Sequence, residues 1–344
     1  VIDDIRFVKE ELGVDNLPTE QRNNLNFLLL EAFTYTRNLT EGQAIAKEII
    51  SNAVNNTAVS TARGYLSTLY VNAGRYRESA ELLFENLLYF EAVNDTSSQI
   101  GTLNNLAQLH ETINNNSLAL ELYKQAETLT VQLKDLEREL LILSSLGVFH
   151  KNLDDFEQAT AYYLRAIELS ETLNDLSASA QNNFNLGNIY YEQGSFDRAT
   201  ERYDIAYKIV DELNFEYPKA LIAMMRGTLL LDLNALNPAE QYFLEAEQIL
   251  TGLNDLESQI YLGSKLADLY DKQGDFKAAL AYSQQVVEDQ KQKIREASLD
   301  SLNQQLVNYQ IRQSELLDEN QRIEEKRARQ INIFTSMLVL VLGI

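Results

Sequence analysis

The chain has 344 residues, a net charge of −22, only 3 prolines and 13 glycines, and no cysteine. The lack of cysteine excludes disulfides, thiolate metal sites and a cysteine nucleophile. The scarcity of helix-breaking residues, together with 45% apolar residues, favours a long all-helical array over one compact domain.

Small residues recur every 40 positions and set the register of the chain. Each is followed after three residues by a ring or leucine, and after twelve residues by an alanine in most copies. A fixed period of this length is typical of helical repeat proteins, in which each unit is a pair of helices. Asn-Asp pairs such as Asn94-Asp95 and Asn174-Asp175 separate the copies and favour helix ends. The small residues are Ala107, Gly147, Gly187, Gly227 and Ala267.

The segments follow in a simple order, beginning with a lead-in over residues 1–18 that ends at Pro18. The repeats occupy residues 19–285 and are predicted to form about seven helical hairpins. Residues 286–330 carry 8 basic and 9 acidic side chains, so nearly all of the negative charge lies in the repeats. Such a field repels nucleic acid and anionic lipid and favours basic peptides, although it also serves solubility.

The copy around Gly187 resembles the tetratricopeptide repeat family in the order of its small, aromatic, turn and alanine positions. The resemblance covers about residues 20–293 and implies a right-handed α-solenoid with a concave binding groove. The chain departs from the family in having no tryptophan and a 40-residue repeat, where the family has roughly 34 residues. The matching residues are Leu186, Gly187, Tyr190, Gly194, Phe196, Ala199, Tyr203 and Ala206.

No catalytic or metal-binding motif is found in the sequence, neither a phosphate-binding GxxxxGK[ST] loop nor an HExxH zinc motif. The two histidines, His110 and His150, occupy the aromatic position of their repeats and are predicted to pack or to form hydrogen bonds. Asp154 and Asp155 are interpreted as helix caps. We therefore predict a non-catalytic chain without metal or cofactor.

A candidate binding surface follows from helical geometry. In the first helix of each repeat, the residues three before, one after and four after the small position share one face. In the resembled family that face lines the groove, and we call it the groove face. It is polar at both ends and apolar in the middle, which suits an extended peptide or protein segment with a central hydrophobic side chain; a solvated groove without ligand is the alternative. The candidate residues are Asn104, Gln108, Glu111, Lys151, Phe184, Asn188, Tyr191, Met224, Thr228, Asp268 and Asp271.

The spacing changes to alternating steps of three and four after residue 285, which is typical of a coiled coil. With residue 299 as a heptad a position, Asn320 also falls at a and favours a parallel, in-register homodimer. A single helix folding back on the last repeat is the alternative. The predicted dimerisation residues are Leu299, Leu302, Leu306, Tyr309, Leu316, Asn320 and Ile323.

Residues 331–344 are uncharged and end in a run of leucine, valine and isoleucine. As a helix they would span about 21 Å, less than a bilayer requires. We interpret them as the start of a transmembrane helix, with an apolar helix docked on protein or a surface anchor as alternatives. The start at Val1 in place of methionine leads us to expect a signal peptide upstream and an output module downstream.

The order of repeats, coil and apolar segment resembles the sensor region of bacterial membrane histidine kinases or diguanylate cyclases. That resemblance implies a membrane-anchored, periplasmic sensor that binds a peptide or protein and relays the signal to an output domain. Lys326, Arg327 and Arg329 argue for the opposite orientation, because basic flanks are usually cytoplasmic. The alternative function is a cytoplasmic scaffold that docks partner proteins.

Overall fold

The computed structural model describes residues 19–35, 38–52, 56–252 and 255–342, and the predicted lead-in over residues 1–18 lies outside them. The chain divides into two units, one ending at Gln290 and the other beginning at Lys291. All regular secondary structure in the described residues is α-helical, which confirms the predicted all-α class. The helices are α1 (Thr19–Tyr35), α2 (Leu39–Asn52), α3 (Asn56–Asn72), α4 (Tyr76–Ala92), α5 (Thr96–Thr112), α6 (Asn116–Leu133), α7 (Leu136–Asn152), α8 (Phe156–Leu173), α9 (Leu176–Glu192), α10 (Phe196–Glu212), α11 (Glu216–Asp232), α12 (Leu236–Leu250), α13 (Leu256–Gln273) and α14 (Phe276–Leu342).

From α3 onward a new helix begins every 20 residues, so the 40-residue repeat contains a shorter structural period. Every turn that the structure describes in full from α3 onward places one residue in the left-handed region, two positions before the next helix. Asparagine and glycine dominate these positions because they tolerate positive φ at little steric cost. The residues are Gly74, Asn94, Asn114, Lys134, Asp154, Asn174, Gly194, Asn214, Asn234 and Gly274.

The left-handed residue closes the preceding helix in the same way at each of these ten turns. At Asn114, for example, the N–H of Asn115 donates to the carbonyl of His110 at 2.8 Å, which is the long hydrogen bond of a Schellman motif. The turn inside a hairpin and the turn between hairpins therefore have the same backbone construction.

Aspartates at the starts of helices satisfy backbone N–H groups that lack a helical partner. The carboxylate of Asp155 accepts a hydrogen bond from the N–H of Gln158 at 3.3 Å, which confirms its predicted role as a cap. Asp154 instead supplies the left-handed residue of the same turn, with φ at 58°. The other aspartate caps are Asp95, Asp135, Asp175, Asp255 and Asp275.

The small positions let a ring from the second helix of the hairpin lie directly on the first helix. A Cβ atom added to Gly187 would lie 2.6 Å from the ring of Tyr203, and one added to Gly147 would lie 2.6 Å from Tyr163. Both rings are fully buried. The small residue therefore lets the two helices of a hairpin approach closely, and the covering ring belongs to the same hairpin.

Seven hairpins follow one another in the described residues, beginning with α1 and α2. The last one pairs α13 with the beginning of α14, where the ring of Tyr270 stacks on Tyr282 with centroids 5.6 Å apart. Their repeated packing forms the predicted helical solenoid.

Helix α14 continues for 67 residues, so the segment predicted as a coiled coil is helical. All seven predicted dimerisation side chains are exposed, from Leu302 at 62% to Ile323 at 41% for the apolar ones. Pairing with a second copy stays a prediction. In the described part of the chain, no helix has the length and apolar character needed to cross a membrane. Residues 331–342 are helical, and the structure describes only their backbone.

Candidate functional site

A row of contacts joins the ends of consecutive first helices, where the groove face lies. Each contact links the residue four past the small position to a residue 41 positions later, on the next first helix. Asn152 Nδ2 donates to Glu111 Oε1 at 2.8 Å, and Lys151 Nζ lies 4.0 Å from Glu192 Oε1. Tyr191 OH donates to Asp232 Oδ2 at 2.5 Å. The predicted residues Glu111, Lys151 and Tyr191 therefore belong to one continuous row.

The second residue of each contact was missed in the sequence. These residues stand five past the small position and are polar in every regular repeat, which is the signal that identifies them. Lys272 continues the row by donating to the carbonyl of Leu231 at 3.2 Å. The residues that make these contacts are Asn152, Glu192, Asp232 and Lys272, and Thr112 stands at the same position of its repeat.

Tyrosine hydroxyls of the second helices form hydrogen bonds with residues of the groove face. Tyr203 OH donates to Asn188 Oδ1 at 2.7 Å, and Tyr123 OH donates to Glu111 Oε2 at 3.2 Å. Burial and, for Tyr123, the charge of Glu111 raise the pKa of both phenols, which therefore remain donors at neutral pH. These hydrogen bonds fix the orientation of the groove residues from behind.

Three candidate residues lie deeper than the face geometry predicts. Asn104, Met224 and Thr228 are all buried, with exposures of 4%, 7% and 1%. Thr228 Oγ1 donates to the carbonyl of Met224 at 2.8 Å, a helix-internal bond. Because they are buried, they belong to the packing beneath the groove face and are not exposed to a ligand.

The middle of the groove face adjoins an apolar pocket of about 210 Å³. It lies between α9 and α11 and includes the predicted residue Phe184, which is half-buried against Tyr203 with ring centroids 5.9 Å apart. The exposed rings of Phe215 and Tyr217 stand at its rim. The remaining lining residues are Ser177, Ala180, Gln181, Val210, Pro218, Leu221 and Ile222.

A polar pocket of about 400 Å³ lies nearer the N-terminal end of the row. It is lined by the predicted residues Gln108 and Glu111 and by Asn116 and Asn152 from neighbouring helices. At the other end of the row, Asp268 and Asp271 are exposed. Along the first helices, the candidate residues therefore run from a polar pocket, past an apolar pocket, to two exposed aspartates.

The histidines lie away from the groove face. His150 stacks on Tyr162 with centroids 5.4 Å apart, and its Nδ1 is 3.0 Å from Asp155 Oδ2. Burial lowers the pKa of His110, whose Nδ1 lies 3.4 Å from Asn115 Nδ2. Among the described residues no three acidic or histidine side chains are grouped as they would be around a metal ion.

The sequence itself matches models of the tetratricopeptide repeat over residues 138–212 and 264–288. Together with the hairpin packing, these matches show that residues 138–212 and 264–288 contain tetratricopeptide repeats. No protein of curated function is significantly similar to it in sequence.

Several solved structures share the fold at low sequence identity. The apo form of RapI is 14% identical with a TM-score of 0.59, over 80% of this chain and 99% of RapI. The signal transduction ATPase with numerous domains and a tetratricopeptide repeat sensor from Pyrococcus horikoshii is 15% identical with a TM-score of 0.65, over 82% of this chain and 44% of that protein. The Rap conjugation gene regulator of plasmid pLS20, in complex with the Phr* peptide, is 14% identical with a TM-score of 0.57, over 81% of this chain and 78% of the regulator.

Proposed function

We propose that the groove face binds an extended polypeptide with one large apolar side chain and basic residues on its flanks. The observation that carries the proposal is the apolar pocket at Phe184, which lies between the polar pocket at Glu111 and the exposed Asp268 and Asp271. A buried apolar anchor supplies affinity in such interfaces, while surrounding charges set orientation and association rate.

The charge of the chain supports the basic flanks. The solenoid carries nearly all of the net charge of −22, so a cationic peptide is attracted over a distance of about a Debye length. The Rap regulator solved with the Phr* peptide has the same fold, which supports a peptide or protein as the ligand. Neither argument requires catalytic chemistry.

The proposal is tested with fluorescent nonapeptides that carry a central phenylalanine and two lysines on each side, added to the full chain. We expect saturable anisotropy changes that weaken with salt and are lost when the phenylalanine is replaced by alanine or the lysines by glutamate. Equal binding of all three peptides, or of none, would contradict the proposal.

A matched pair of variants locates the binding. Phe215→Ala removes an exposed ring from the rim of the apolar pocket, whereas Leu233→Ala removes an exposed side chain of a turn outside it. We expect only Phe215→Ala to weaken the phenylalanine peptide, by about tenfold, because it removes apolar contact area. Asp268→Asn with Asp271→Asn should weaken the lysine dependence and leave thermal stability unchanged, since both side chains are exposed.

We further propose that the solenoid is the sensor of a membrane-bound signalling receptor and that α14 relays ligand binding through a parallel homodimer. The exposed seam from Leu299 to Ile323 supports the dimer, and the apolar composition of residues 331–344 supports the membrane. A cytoplasmic scaffold is the second candidate, favoured by the general binding fold. Fractionation of cells that express the full protein decides between them: recovery in the membrane fraction supports the receptor, and recovery in the soluble fraction supports the scaffold.

A further inference from the structure

A second pocket, of about 220 Å³, lies between α10, α11 and α12 and includes none of the predicted groove residues. Leu230, Tyr242 and Arg226 are among the residues that line it. The exposed residues Thr200 and Pro238 stand at its opening. A cavity of roughly 150 Å³ is sufficient to bind a benzene ring.

The other repeats show what normally fills this place. In the last hairpin Tyr270 lies there, stacked on Tyr282 at 5.6 Å with the rings 9° from parallel, and its hydroxyl donates to Glu240 Oε1 at 2.9 Å. The pocket residues Leu230, Tyr242 and Thr200 stand 40 positions before these three. The pocket is therefore the place of a ring that this repeat lacks.

Two further repeats support the comparison. His150 occupies the equivalent place in its repeat and stacks on Tyr162, with ring centroids 5.4 Å apart. Tyr190 occupies it in the next repeat, where the guanidinium of Arg198 lies 3.7 Å from the ring centroid of Tyr190. Leucine at position 230 is the exception among these four repeats. Its shorter, non-planar side chain leaves one face of Tyr242 without a stacked ring.

The remaining contacts of Tyr242 hold its ring in a position where another ring can stack on it. Its other neighbours are the ring of Tyr207, at 6.1 Å in an edge-on arrangement, and the guanidinium of Arg226, at 4.2 Å. Arg226 is itself fixed by Asp204 Oδ1 at 2.6 Å. Offset stacking and cation–π contact both favour an aromatic group over an aliphatic one here.

We propose that this pocket binds an aromatic side chain of a partner polypeptide, stacked on Tyr242 in the place that Tyr270 takes in the last hairpin. The site is separate from the groove face, so the chain would hold a partner at two points. An interaction of this kind raises the overall affinity when both contacts form together.

The test uses N-acetyl-tryptophanamide as the probe, since the chain contains no tryptophan and the fluorescence of the probe is observed alone. We expect a saturable blue shift with one site per chain, and no comparable binding of N-acetyl-leucinamide measured by ligand-observed NMR. Leu230→Tyr, which supplies the missing ring from the chain itself, should weaken the probe by about tenfold or more. Leu233→Tyr adds the same ring to an exposed turn outside the pocket and is the matched control.

A second variant does not depend on filling the pocket. Thr200→Glu introduces the carboxylate that Tyr270 uses in the last hairpin, at an exposed position. It should raise the affinity for N-acetyl-tyrosinamide several-fold relative to N-acetyl-phenylalaninamide, because only the former donates a hydroxyl. The proposal is overturned if the native chain shows no saturable binding, or if Leu230→Tyr and Leu233→Tyr bind the probe equally well. Binding of the groove peptide should be unchanged in Leu230→Tyr, so the two sites are tested separately.

Discussion

At the scale of single residues, the glycines under buried rings are the positions most sensitive to size. Gly187→Ala places a methyl group 2.6 Å from the ring of Tyr203, which is fully buried. The gain in helix propensity, about 1 kcal/mol, is outweighed by overpacking of about 1–3 kcal/mol. We expect a lower midpoint in urea denaturation followed by circular dichroism.

Gly64 provides the matched control because it is also helical, yet an added Cβ would meet nothing within 4 Å. Gly64→Ala should therefore raise the denaturation midpoint, by helix propensity alone. Stabilisation by both substitutions would show that the packing around Gly187 accommodates the added methyl group without the expected overpacking cost.

A tyrosine contact between second helices makes the stability depend on alkaline pH. Burial, followed by the hydrogen bond and charge of Glu245, raises the pKa of Tyr207 from 10.0 to about 12. The hydroxyl donates to Glu245 Oε1 at 2.5 Å. Since the pKa is higher in the folded state, this stabilisation is fully present below pH 10 and is lost as the pH rises toward 12.

Melting temperatures of the native chain and of Tyr207→Phe, recorded from pH 8 to 12, measure the effect. We expect the difference between the two proteins to be largest below pH 10 and to shrink above it. Parallel curves across the whole range would contradict the shifted pKa.

At the scale of secondary structure elements, the aspartate caps fix where each helix starts. Asp135 accepts a hydrogen bond from the N–H of Arg138 at 3.0 Å, whereas Asn115, at the same position of another helix, forms no such side-chain bond. Asp135→Ala should lower the free energy of unfolding by about 1 kcal/mol, and Asn115→Ala by much less. Chemical denaturation of both variants is the measurement, and equal losses would argue against a capping role.

The proposed pairing of α14 is tested by disulfide cross-linking. Because the chain has no native cysteine, only the introduced cysteines can form disulfides. In the full protein, Leu306→Cys and Leu316→Cys lie on the predicted seam, and Ser301→Cys lies at a heptad c position as the matched control. We expect rapid formation of covalent dimers only at the two seam positions, because seam residues face their copies in a parallel coil. Equal cross-linking at all three positions, or none, would refute the dimer.

The same helices show how far the sequence predicts local structure. The 40-residue period and the caps at Asp95 and Asp175 follow from residue type and spacing, and the structure bears them out. The 20-residue period was missed, although Asn114 and Gly194 inside the hairpins supply the same left-handed residue as Asn174 between them. Because two different residue types share one backbone conformation, the 20-residue period is hidden in the sequence but visible in the backbone geometry.

At the scale of the whole molecule, the sequence predicts which residues share the groove face, but it does not predict how deeply each of them is buried. Helical periodicity places Glu111, Lys151 and Tyr191 on one face, and their contacts with the next first helix follow that face. Burial of Asn104 and Thr228 depends on how closely successive first helices approach, which spacing along one helix does not contain. The pocket beside Leu230 likewise becomes visible only when the repeats are compared in three dimensions.

The uniform turns have a consequence for changes in chain length. Lys134 and Asp135 precede α7 as Asn174 and Asp175 precede α9, so removal of 40 residues between them leaves an equivalent left-handed residue and cap before Leu176. A deletion of one residue within a helix instead rotates the following side chains of that helix by about 100° and moves its apolar face out of the core. The molecule is therefore expected to gain or lose length in whole hairpins, and each such step alters the span of polypeptide it can hold without disturbing the joints.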